Sequence, residues 1–149
     1  MKFVQVKYPD VKLLEQFIAN AGSSLRSFRY FDKRPLEVIK NHLCTFLLID
    51  NNGPVAYGHL DNEAGTVWLG VAVSEKHVGL GLGAMMMNQL ISFAKMDRVD
   101  EIKLSVDNDN VSAIKMYEKL GFKLIERKAT FSFYILTLEY QLLTSDTKL

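Results

Sequence analysis

A chain of 149 residues, 48% of them hydrophobic, is long enough to bury one real core and too apolar to remain disordered. Its formal net charge of +1 supplies no field to gather nucleic acid or an anionic membrane, and its single cysteine, Cys44, excludes an intrachain disulfide and a cysteine-based zinc site. No apolar run is long enough to cross a bilayer, and the alternating start from Met1 to Lys7 lacks a signal-peptide core, so a cytoplasmic location is the default expectation.

Residues 3–6 read as a first strand. Pro9-Asp10 then opens a helix, with Asp10 as its N-cap and Val11, Leu14, Ile18 and Ala21 on one face. Gly22-Ser23-Ser24 ends it, and residues 25–34 alternate aromatic and basic side chains without a clear period. Pro35 opens a second helix, with Leu36, Ile39 and Leu43 pointing inward. A β meander follows over 45–49, 55–61 and 66–73, separated by turn formers at 50–54 and 62–65. The third of these strands is apolar at nearly every position, which predicts burial on both faces. After a glycine-rich loop, residues 84–95 form a helix with Leu90, Ile91 and Ala94 as core. A strand at 101–106, a helix at 110–120 closed by Gly121, and strands near 122–127 and 131–140 complete the chain. With no repeat and no linker, residues 1–149 read as a single domain. Hairpins followed by a strand–helix–strand crossover predict an α/β fold with a mixed, mostly antiparallel sheet of about seven strands flanked by helices.

Gly79, Gly81 and Gly83 lie between an apolar strand and a helix. Glycines there allow close backbone approach, and a helix start offers unpaired N–H groups at the positive end of its dipole. The pair favours a phosphate or pyrophosphate without any basic side chain. The loop ends Gly83-Ala84-Met85 rather than Gly-Lys-Ser/Thr, which rules out a Walker loop. The spacing Gly-x-Gly-x-Gly, mid-chain after a meander, disfavours a dinucleotide fingerprint.

From Val71 to Phe122 the chain resembles the GNAT superfamily of acetyl-CoA-dependent N-acetyltransferases. The signature Arg/Gln-x-x-Gly-x-Gly/Ala falls on Val78-Gly79-Leu80-Gly81-Leu82-Gly83, with valine where Arg or Gln is usual. The block Asn-x-x-Ala-Ile-x-x-Tyr-x-x-x-Gly-Phe matches from Asn110 through Ala113, Ile114 and Tyr117 to Gly121-Phe122. The resemblance implies acetyl-CoA as co-substrate and no metal. It implies that Val71, Ala72 and Val73 pair with the pantetheine arm, and that Val78, Gly79, Leu80, Gly81, Leu82, Gly83 and Ala84 cradle the pyrophosphate. It also implies that Asn110 and Ala113 contact the arm and that Tyr117 protonates the departing sulfur. Val78 leaves the phosphates to backbone N–H groups.

The residues themselves agree with these roles but leave alternatives. Asn110, Ala113 and Tyr117 share one helix face. Asn110 also suits an N-cap, and Tyr117 also suits a core aromatic. A phenol of pKa about 10 can donate to a thiolate whose thiol has a pKa of about 8.5.

At the acceptor end an alkylammonium of pKa about 10.4 must lose a proton before it can attack. The strand at 66–73 contains no Glu for this. His59, Asp61 and Glu63 are the nearest candidates, with His59 and Asp61 on one strand face. His59 fits a hydrogen-bonded sheet histidine equally well, and Asp61 and Glu63 fit turn positions. Arg26, Arg29 and Tyr30 are candidates to grip an anionic acceptor such as an amino sugar carried on a nucleotide; Tyr57 and Trp68 are further pocket candidates.

The leading expectation is transfer of an acetyl group to the primary amine of a small molecule by direct attack in a ternary complex. Transfer of longer acyl chains or to hydroxyls, and CoA sensing without turnover, are the alternatives. Nucleic-acid or membrane partners are not expected, and the aromatic stretch Phe131-Ser132-Phe133-Tyr134 leaves room for a homodimer.

Overall fold

The computed structural model describes residues 1–140. They form seven strands, β1 (Lys2–Gln5), β2 (His42–Asp50), β3 (Gly53–Glu63), β4 (Thr66–Val73), β5 (Glu101–Asp107), β6 (Lys123–Arg127) and β7 (Phe131–Thr137). Three α-helices accompany them: α1 (Lys12–Asn20), α2 (Leu82–Met96) and α3 (Val111–Lys119). The strands make one mixed sheet in the order β1-β2-β3-β4-β5-β7-β6, in which only β4 and β5 run parallel. This is the predicted architecture. No helix among the described residues is long and apolar enough to cross a membrane.

Both faces of the sheet's centre are covered, because alternate side chains of β2 and β3 enter different cores. Phe46 and Leu48 of β2 and Ala56 and Leu60 of β3 join Met86, Met87, Leu90 and Ala94 of α2. Leu47 and Tyr57, pointing the other way, join Leu14, Phe17 and Ala21 from the α1 side. Gly58 lets α2 approach β3: a Cβ there would lie 2.5 Å from Met86 Cγ. Within the Met85-Met86-Met87 run, Met86 and Met87 are core and Met85 is exposed. Cys44 is buried too, and burial pushes its thiol up to about 12, well away from a reactive thiolate.

Three expectations need correction. Helix α1 starts at Lys12 with Val11 as N-cap and no side-chain cap, whereas Asp10 donates its N–H to the Lys7 carbonyl in a preceding turn. The helix expected after Pro35 is a short 3₁₀ run, Leu36–Asn41, and Leu43 belongs to β2. The cause is pairing: β3 continues to Glu63, into the expected turn, and recruits His42 opposite Asp61. Strand β4 is only half-buried at six of its eight positions rather than buried on both faces. The aromatic strand β7 lies between β5 and β6, and among the described residues the edge strands are β1 and β6.

Candidate active site

The half-burial of β4 has one cause. Its pairing with β5 is a single register pair, Trp68 with Lys103, after which the strands diverge. A cavity of about 690 Å³ fills the gap. One end is formed by the glycine loop and α3, and the other by β3 and the segment between α1 and β2.

The glycine loop takes the conformation its composition predicts. Gly79 and Gly81 both have φ of +80°, and a Cβ at either would meet nothing within 4 Å, so the cradle is open. Gly81 is the N-cap of α2, which begins two residues before the expected start at Ala84. The first backbone bond is Met85 N–H to the Gly81 carbonyl. Among the described residues the N–H groups of Leu82, Gly83 and Ala84 have no backbone acceptor, and α2 has no side-chain cap. The open N–H groups at the start of a helix 15 residues long form an electropositive cradle without a charged side chain. Val78 and Leu80 stand exposed on its rim. Val78, Gly79, Gly81, Leu82, Gly83 and Ala84 line the cavity, as do Val71, Ala72 and Val73; Leu80 does not.

Helix α3 presents its small-residue face to the same space. Asn110 caps it, its Oδ1 accepting the Ala113 N–H at 3.4 Å, and both residues line the cavity. Gly121, with φ of +100°, turns the chain away after the helix. Tyr117 is buried except for 7% of its surface, and its hydroxyl has no hydrogen-bond partner among the described residues. No side-chain N or O there is both sealed from solvent and unpartnered, so this hydroxyl opens to the cavity. Burial pushes its pKa up to about 12, which keeps the phenol neutral.

At the other end β3 turns Tyr57, His59 and Asp61 to one face, as period two requires, and all three are buried. Tyr57 lies behind, packed on Phe17 and hydrogen-bonded to His59 Nδ1 at 2.6 Å. The Tyr30 hydroxyl donates to Asp61 Oδ2 at 2.7 Å, and its oxygen lies 2.7 Å from His42 Nε2. Tyr30 has one proton, given to Asp61, so His42 carries its own on Nε2. His42 Nδ1 then accepts from the Thr45 hydroxyl at 2.7 Å. Desolvation lowers His42 to about 4 and holds His59 well below the ordinary 6.5, so both imidazoles are neutral near pH 7. Desolvation and the bond to Asp61 hold the Tyr30 hydroxyl well above an ordinary phenol. Asp61 thus has one oxygen bonded to Tyr30 and the other without a partner among the described residues.

The arginines are engaged within the chain. Arg29 makes a two-pronged pair with Asp107 at the end of β5, at 2.9 and 3.1 Å. Arg34 stacks on the Tyr30 ring at 4.3 Å and lies 3.9 Å from Glu63. Arg26 contributes its carbonyl to Arg29 and does not line the cavity. Glu63 and Trp68 do, with Trp68 also against Phe133.

The family model described as the Acetyltransferase (GNAT) family matches residues 11–122. The chain belongs to the GNAT family. Its GNAT architecture is shared with the ribosomal-protein-S18-alanine N-acetyltransferase of Escherichia coli, at a TM-score of 0.72 and 20% identity over 96% of this chain and 98% of that one. A Salmonella typhimurium protein solved with acetyl-CoA as its cofactor superposes at 0.73, with 17% identity over 97% and 98%. The spermine/spermidine N(1)-acetyltransferase of Bacillus subtilis (strain 168) is 37% identical over 65 residues, which are 42% of this chain and 43% of that relative. The GCN5-related N-acetyltransferase 6, chloroplastic, of Arabidopsis thaliana is 26% identical over 80% of this chain and 38% of its own length. The chain spans less than half the length of these two relatives.

His42, Thr45, Arg34 and Asp107 of this GNAT chain were not among the candidates named from the sequence. No local pattern marks them. His42 reaches the site through the β2–β3 register, and Asp107 through a partner 78 positions away.

Proposed function

We propose that this GNAT chain transfers the acetyl group of acetyl-CoA to the primary amine of a small, cationic acceptor by direct attack in a ternary complex. The observation that carries the reading is a single cavity holding three complementary parts. They are an open anion cradle at the start of α2, a neutral phenol without a protein partner, and a carboxylate with one free oxygen.

The residues fit the cofactor. The N–H groups from Gly79 to Ala84 suit a pyrophosphate, and the unpaired stretch of β4 with Ala113 opposite leaves a slot for a narrow chain. Bound acetyl-CoA supplies the thioester that the reaction cleaves. Asp61 attracts the acceptor's ammonium group and takes its proton, freeing the lone pair that forms the C–N bond. Tyr117 gives its proton to sulfur as the C–S bond breaks. No enzyme nucleophile is needed.

A cationic acceptor is preferred over the anionic one suggested by the basic residues at 25–34. Arg29 and Arg34 are already paired, whereas Asp61 keeps an oxygen free and Glu63 lies two residues along the same strand. The relative from Bacillus subtilis acts on spermine and spermidine, both polycations. The test is CoA release with a panel of alkyl diamines, polyamines, amino sugars and nucleotide-linked amino sugars. Turnover of the cationic amines is expected. Turnover confined to the anionic amines overturns the acceptor assignment, and none with any amine overturns the transferase reading.

A further inference from the structure

His59 is 98% buried by its 2% exposure, yet it lines the cavity. The opening is made by Gly70, its cross-strand partner on β4. A Cβ at Gly70 would lie 2.5 Å from His59 Cε1 and 2.7 Å from Nε2, so any side chain there would displace the ring. Without one, the imidazole lies across β4 toward the gap. Its Nε2 has no partner among the described residues, and no polar side-chain atom there is both sealed and unpartnered, so Nε2 faces the cavity.

Its protonation follows from proton counting. Tyr57 is fully buried, and its hydroxyl has one neighbour, His59 Nδ1 at 2.6 Å. If Nδ1 carried the imidazole proton, the Tyr57 hydroxyl proton would be buried with no acceptor, a cost of about 1–3 kcal/mol. Tyr57 therefore donates to Nδ1, and the neutral ring carries its proton on Nε2. An imidazole so fixed cannot take a proton from an amine through Nε2. It can only donate.

Resting on the acyl-transfer reading, we propose that His59 is a catalytic hydrogen-bond donor: its Nε2–H, aimed through the gap left by Gly70, binds the acyl carbonyl oxygen and the negative charge that builds there. As the amine's lone pair forms the C–N bond, the carbonyl π pair moves onto that oxygen. His59 keeps its proton, and the pair returns to carbon as the C–S bond breaks. Such a donor is preorganised, because Tyr57 fixes the tautomer and the ring is packed against Tyr30 and His42, with centroids at 4.3 and 4.4 Å. The titratable and charged groups facing it are Tyr57 and Asp61 on β3, Tyr30 and Arg34 from the segment before β2, and His42 on β2.

The experiment uses the full chain labelled with ¹⁵N-histidine. Two-bond ¹⁵N–¹H spectra are expected to show His59 as the Nε2–H tautomer throughout pH 5.5–8.5, a range set about the ordinary histidine pKa of 6.5. Acetyl-CoA should shift that Nε2–H resonance, whereas CoA, which lacks the carbonyl, should leave it in place. The Nδ1–H tautomer, or equal shifts with both ligands, overturns the proposal. In parallel, His59→Phe should lower kcat by roughly 100-fold, with His59→Gln recovering part of it, and both pH–rate profiles should keep the wild-type shape. Loss of one limb of the profile would make His59 a base and also overturn the proposal. If wild type releases no CoA with any amine, the acyl-transfer reading fails, and the donor assignment fails with it unless the spectra distinguish acetyl-CoA from CoA.

Discussion

In the proposed reaction Tyr117 and Asp61 divide the proton traffic because their surroundings differ. Tyr117 is wrapped by apolar side chains with no charge beside it, which favours the neutral phenol. Asp61 receives a phenolic hydrogen bond on one oxygen and leaves the other to the cavity. Replacing Tyr117 with Phe should lower kcat by about 10²–10³ while acetyl-CoA affinity, measured by calorimetry, changes little. Unaltered turnover in that variant would remove Tyr117 as the acid. The shared face of Asn110, Ala113 and Tyr117 was legible in the sequence from helical spacing, whereas the acid role of Tyr117 came only from the family resemblance. The pairing of Arg29 was not legible. Its basic neighbours suggest an anion site, and only the folded sheet brings Asp107 to it.

At the scale of elements, the loop before α2 was read from glycine spacing, and its positive φ angles explain that spacing. A side chain at Gly81 would be strained whatever the space, and it would project into the open cradle. Gly81→Val should abolish acetyl-CoA binding, whereas Val78→Ala should leave the dissociation constant within about 2-fold, since an exposed valine gives the phosphates nothing. Titration of both variants by calorimetry checks the contrast.

The β2–β3 pair carries a different consequence. His42 and His59 are neutral in the fold and hold pKa values below their unfolded 6.5. Between those values the unfolded chain binds more protons than the native one, so stability is complete above pH 6.5 and declines as pH falls toward 4. Thermal melts should show Tm dropping across that window, and His42→Gln should flatten the drop. A hydrogen-bonded sheet position was one reading of His59 beforehand, but the burial of His42 was not evident, because the length of β3 and its pairing with His42 depend on long-range register rather than on local turn formers.

For the whole molecule, element order predicted the mixed sheet but not where it parts. Apolar composition made β4 look like an ordinary central strand, since a strand lining an apolar slot and a strand lining a core have the same side-chain pattern. The divergence after Trp68 makes the difference. Arg29–Asp107 spans the opening from the other side, linking the segment before β2 to the end of β5. With Arg29 51% exposed, that pair is worth at most about 1 kcal/mol, so the two halves of the sheet are held mainly by the apolar core in which Met86 and Leu90 of α2 join Ile102, Leu104 and Val106 of β5.

The parting of β4 from β5 also sets a clock on backbone protons. Along β4, residues alternate between pointing N–H groups at β3, where they are paired, and pointing them at the gap. Beyond Trp68 the gap-facing amides have no strand among the described residues to shield them. In deuterated solvent these should exchange fast while their β3-facing neighbours exchange slowly, giving an every-other-residue pattern within one strand. A pantetheine-bearing ligand with amides of its own should slow the fast set and erase the alternation. Uniform protection from Leu69 to Val73 without ligand would mean that the sheet closes in solution.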